Sequence, residues 1–82
     1  MSSTNWNAAK ASTWLKRYAD DLGHDAYQDK DPELYACAGA AYYAVIRGVG
    51  YNTRQEFIDF LENHLQVDGW FIEEALAEIE GA

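Results

Sequence analysis

No lysine or arginine follows Arg54 in this 82-residue sequence, although eight carboxylates stand between Glu56 and Glu80. Cysteine is nearly as scarce. The lone Cys37 excludes an internal disulfide, and Cys37, His24 and His64 are too few soft ligands for a structural zinc site. A reducing, cytoplasmic setting is the simplest expectation. Pro32 is the only proline, so the chain has no Pro-rich linker. No apolar run approaches the roughly eighteen residues that a membrane-spanning helix needs. The start, MSSTNWNAAKASTWLKRY, lacks the unbroken apolar core of a signal peptide, so neither secretion nor a membrane partner is expected.

Motifs that would carry chemistry are missing too. Gly48 and Gly50 lack the spacing of a phosphate-binding loop. Asp25, Asp29, Asp31 and Glu33 resemble a run of calcium ligands. Counted from Asp29, however, the sixth position is Leu34 and the twelfth Ala40, where an EF-hand loop requires Gly and Glu. The only serines, Ser2, Ser3 and Ser12, have no Asp-Ser-Leu context, which excludes an acyl carrier protein. Cys37 lies in an Ala-rich helical run and reads as a small buried filler. His64 reads as a core-edge histidine, and His24 as a residue interacting with the last carbonyls of a helix. The expectation is a non-enzymatic protein with no metal and no cofactor.

What is present is apolar content and patterned charge. Half the residues, 49%, are apolar and 15% aromatic, which excludes a disordered chain and supports one domain spanning 1 to 82. Residues 1 to 19 carry +3, 20 to 33 carry −5, 34 to 54 carry +2 and 55 to 82 carry −8, together the −8 of the whole. That balance argues against direct binding of nucleic acid, whose affinity comes largely from Lys and Arg neutralising phosphates.

Helical periodicity runs through the sequence and predicts an all-α compact bundle of about four short helices. Ala11, Trp14, Leu15, Tyr18 and Leu22 share one face of a first helix that Gly23 is expected to stop, leaving GHDAYQDK as a loop or fraying extension. Asp31, Pro32 and Glu33 mark the start of a second. Its stripe is Leu34, Ala38, Ala41, Tyr42, Val45 and Val49, widened by Tyr35, Tyr43 and Ile46, which makes it the expected central, most buried helix. Gly39, in a run of small residues from Ala36 to Ala41, predicts close approach of another helix. Thr53 and Glu56 fit a capping box opening a third helix, with Phe57, Phe60, Leu61, His64 and Leu65 facing the core. Asp68 is the expected cap of a fourth, with Phe71, Ile72, Ala75, Leu76 and Ile79 inward and Gly81 at its end.

The C-terminal acids fall outside these apolar stripes. Asp59 and Glu62 stand three apart, with Glu56 near the start of their helix. Glu74 and Glu78 share a face at i, i+4, while Glu73 and Glu80 flank it at i, i+7. Like charges so placed are a few ångströms apart and forgo a few tenths of a kcal/mol per pair. The spacing is close to that of phosphates along a nucleic-acid strand.

A short, acidic, single-domain chain without catalytic motifs is similar to the small inhibitors that phages and mobile elements carry against CRISPR or restriction systems, several of which mimic DNA. The resemblance is one of size, charge and missing chemistry over the whole chain. It implies a protein partner with a basic surface, such as a nucleic-acid-binding effector. The contact would be made by Glu56, Asp59, Glu62, Glu73, Glu74, Glu78 and Glu80. The alternative is a homodimeric structural or regulatory helical protein with an ordinary acidic surface, the Ala-rich face of the second helix forming the seam. Trp6, Trp14, Trp70, Tyr27, Tyr35, Tyr43 and Tyr51 exceed what so small a core easily hides and suit either kind of interface. A third class, a small enzyme or ligand carrier, would need an interior pocket.

Overall fold

A computed structural model describes residues 6–81 and resolves them into four helices: α1 (Ala8–Asp29), α2 (Pro32–Arg47), α3 (Arg54–Asn63) and α4 (Gly69–Glu80). No strand occurs among the described residues, and no helix there is long and apolar enough to cross a membrane. Asn7 starts α1 by accepting the Lys10 N–H on its side chain at 3.0 Å. The helix then runs straight through Gly23, correcting the expected stop there. The apolar stripe continues past the glycine, with Ala19, Leu22 and Ala26 all buried, and the Tyr42 ring packs over Gly23 itself. Burial on both sides offsets the roughly 1 kcal/mol that glycine costs a helix interior. Lys30, in the left-handed region at φ 52°, ends the helix instead.

The turn into α2 follows the sequence closely. Asp31 accepts the Glu33 N–H at 2.9 Å and Pro32 takes the first helical position. α2 then folds back along α1, burying Ala38, Ala41 and Ala44, whose small side chains let the two backbones approach. α2 is not the most buried helix. Tyr35, Tyr43 and Ile46 point outward, the last 79% exposed, and Val49 is exposed beyond the helix end. Gly39 meets no neighbouring atom and lies on that outer face. The close approach is made one face away, by the alanines.

The main core gathers where α1, α3 and α4 meet the second half of α2. Phe57, Leu15 and Leu61 are its largest fully buried side chains, each contributing about 1.5–3 kcal/mol of burial. Aromatic rings close around Phe57. Trp14 meets it edge-on at 5.6 Å and Trp6 lies tilted at 5.4 Å, its indole N–H donating to the Tyr51 carbonyl at 2.8 Å. Trp14 also stacks on Tyr18 at 5.1 Å, and Phe71 of α4 packs against both. Three aromatics of the expected surplus therefore belong to the core, Trp14 buried in it and Trp6 and Tyr51 half-buried against it. Leu22, Ala26 and Ala38 are buried outside this cluster, so the α1–α2 hairpin extends beyond the α3–α4 layer. The molecule is accordingly elongated, 46 × 26 × 19 Å.

Gly48, at φ 75°, ends α2, and the segment to α3 is held from both sides. Thr53 accepts the Glu56 N–H at 3.0 Å, which is half of the expected capping box. The other half is redirected. The Glu56 carboxylate reaches back to the N–H of Gly50 at 2.8 Å, and Gly50 lies buried with the Phe60 ring against its backbone. α3 and α4 are joined by residues 64–68. Asp68 stands at the N-cap of α4, but its side chain makes no capping bond there; its carbonyl starts the helix.

Candidate protein-binding surface

On α4 the buried residues Ile72, Ala75, Leu76 and Ile79 define an inner line. At 100° per residue, Glu78 and Glu80 then fall on opposite flanks of the helix, and Trp70, Glu73 and Glu74 on its outer half. Both flanking acids meet cations of neighbouring helices. Glu78 pairs with Arg17 of α1, and Glu80 with Arg54 of α3 at 2.8 Å. These pairs are exposed, so each adds little stability, but they spend two of the chain's few cations at the helix seams. Lys16 is spent likewise on Asp20, at 3.3 Å.

The seven acids singled out in the sequence therefore divide. Glu56 holds the Gly50 backbone, Glu78 and Glu80 hold seams, and Asp59 accepts the Gln55 side-chain amide at 3.0 Å. Glu62, Glu73 and Glu74 are exposed. The Arg54–Glu80 pair joins the start of α3 to the end of α4, while Glu62 lies in the last turn of α3 and Glu73 in the second turn of α4, both toward the connection between them. Trp70, 65% exposed, precedes Glu73 and Glu74 by three and four positions and so stands among them on the outer face of α4.

A second acidic row was hidden in the sequence by the expected stop at Gly23. With α1 continuous to Asp29, Asp21, Asp25 and Asp29 follow each other at i, i+4 and i+8, about 6 Å apart along the axis, all exposed. His24 sits mid-helix and contacts Gln28 rather than terminal carbonyls. Asp20 is engaged elsewhere. The Tyr42 hydroxyl donates to its carboxylate, and this bond, with that from Lys16, holds the Asp20 carboxyl below its usual range; the same contact pushes the Tyr42 phenol up.

The remaining chemically capable groups are dispersed. Cys37 is a half-buried free thiol rather than a fully buried filler. Tyr18 has its phenol pushed up by burial first and by Cys37 second. His64 is exposed with its ring against Phe60 at 5.2 Å. Among the described residues no three His, Cys, Asp or Glu side chains gather in a group that could hold a metal ion. A concavity of about 780 Å³ lies between α2 and α3.

Comparison with protein-family models, characterised proteins and solved structures finds no match to this chain.

Proposed function

We propose that this chain acts by binding rather than by chemistry. It is an inhibitor that lays the outer face of α4, with Glu62 of α3 beside it, on a basic nucleic-acid-binding surface of another protein. The observation that carries this reading is Trp70, 65% exposed among Glu73 and Glu74. An exposed tryptophan is a strong interface anchor, and carboxylates around it select a cationic partner. Solubility alone accounts for surface acids but not for a large apolar ring placed between them. The net charge of −8 adds long-range steering, worth about ten- to a thousandfold in association rate at low salt. Size and charge resemble those of inhibitors of CRISPR effectors and restriction enzymes, and such a complex is the proposed partner.

The test is recovery of a partner from host lysate on immobilised protein at low and high salt. The expected result is a nucleic-acid-binding complex that DNA or RNA displaces and high salt releases. A partner retained against excess nucleic acid would contradict the reading. The homodimer alternative draws on the outward Tyr35, Tyr43 and Ile46 of α2. Ala38 and Ala41, in the Ala-rich run the expected seam would have used, are already buried within the molecule. Sedimentation decides it, since a dimer whose affinity ignores salt requires an apolar seam.

A further inference from the structure

We infer that the groove between α2 and α3 receives an amphipathic helix of a partner protein, apolar where it enters the groove and lysine- or arginine-bearing on its flank. The groove is a second surface, lined by residues that do not include Glu62, Glu73 or Glu74, and does not depend on the reading of α4. Ala40 and Ala44 line it from α2, Val49 from the segment that follows, and Phe60 from α3. At about 780 Å³ it is as large as pockets that hold small molecules. Apolar surface nonetheless continues outside it. Tyr43 is 59% exposed at its edge, and Ile46, 79% exposed, follows on the outer face of α2. A small molecule in the groove would leave that strip wet, whereas a helix, about 10–12 Å across, covers both.

Charge selects the occupant. Glu56 and Asp59 line the α3 side, no lysine or arginine is among the described residues that line the groove, and Arg47 of α2 stands over the Tyr43 ring, 5.6 Å from its centre. The Gly50 and Gln55 bonds each engage one carboxylate oxygen of Glu56 and Asp59, leaving the second oxygen of each for a cation. A second copy of the chain would bring another −8 to the same place, so a basic partner is favoured over self-association.

The experiment uses two labelled synthetic peptides of about sixteen residues, long enough for four helical turns. They share a Leu/Ala face and carry either Lys or Glu on its flanks. Fluorescence anisotropy and amide chemical shifts are read on the intact protein. The Lys peptide is expected to bind about tenfold or more tighter than the Glu peptide and to shift Ala40, Val49 and Phe60. Ala40→Trp, which fills the groove from a half-buried position, is expected to weaken binding about tenfold. Asp59→Lys, at an exposed position, narrows or reverses the preference between the peptides and tests the idea even if Ala40→Trp does not fold. Glu73→Lys/Glu74→Lys leaves the location of the shifts unchanged, so failure here and failure of the α4 reading are distinguishable. Equal binding of the two peptides, shifts outside the groove, or an unchanged preference in Asp59→Lys overturns the inference. So does a peptide-free dimer whose seam maps to the groove.

Discussion

Replacing Glu56 with alanine separates acids that build the fold from acids available to a partner. Its carboxylate accepts the Gly50 N–H at 2.8 Å, and Gly50 is buried, at φ 85°, with Phe60 against it. Loss of the acceptor removes a charge-assisted bond and leaves a donor that water reaches poorly, a cost of about 1.5–3 kcal/mol. At 0.05–0.15 kcal/mol per residue, a domain this size has roughly 4–12 kcal/mol to lose. A loss of about 2 kcal/mol lowers the melting temperature by roughly 8–16 °C. Glu62→Ala, on an exposed side chain, is expected to change stability by no more than about 0.5 kcal/mol. Glu56→Gln keeps an acceptor oxygen and should lose less than Glu56→Ala. Thermal and urea unfolding followed by circular dichroism provide the comparison. If Glu56→Ala and Glu62→Ala melt together, the Glu56–Gly50 bond does not hold this segment, and Glu56 returns to the set of surface acids.

Two glycines are expected to respond in opposite directions. Gly39→Ala, in an open helical position, should stabilise by about 0.5–1 kcal/mol in urea unfolding, while Gly50→Ala, at positive φ and with its new Cβ 3.1 Å from the Phe60 ring, should destabilise by more than about 1 kcal/mol. The Asp20 carboxyl is depressed by the Tyr42 hydroxyl and by Lys16, so its contribution is present above the unfolded value near 3.9 and is lost as pH falls through the folded one. The Tyr42 phenol is raised, so its contribution is present below the unfolded value near 10 and is lost as pH rises through the folded one. Tyr42→Phe should therefore flatten the melting temperature against pH at both ends, and an unchanged acid limb would refute the Asp20 contact.

The helices and their inner faces were legible because burial repeats every three or four residues: Ala11, Trp14, Leu15 and Leu22, then Phe57, Leu61 and Leu65, then Ile72, Leu76 and Ile79 are all buried. Local caps were legible where one side chain satisfies one backbone group, as at Asp31 and Thr53. What failed depends on contacts between distant segments. Gly23 carries a stop signal that Tyr42, nineteen residues on, overrides. In α2 both faces are apolar, so periodicity alone did not say whether the alanines or the tyrosines and Ile46 would meet α1. The acids share one composition but not one role, because Arg17, Arg54 and Gly50, which divide them, are assembled only by the fold. Trp70 was visible as a surplus aromatic, and the expected inner line of α4 already set it on the side of Glu73 and Glu74; what the fold adds is that nothing covers it, leaving it 65% exposed.

The central claim is that a partner reads the carboxylates around Trp70. Its most direct test is the affinity of the recovered partner for Glu62→Lys/Glu73→Lys/Glu74→Lys, which leaves Arg17–Glu78, Arg54–Glu80 and the Gly50 bond in place. The account predicts a loss of about a hundredfold or more, on the order of 1 kcal/mol per reversed charge, with helicity preserved and melting within a few degrees. Undiminished binding by the folded triple variant would contradict it.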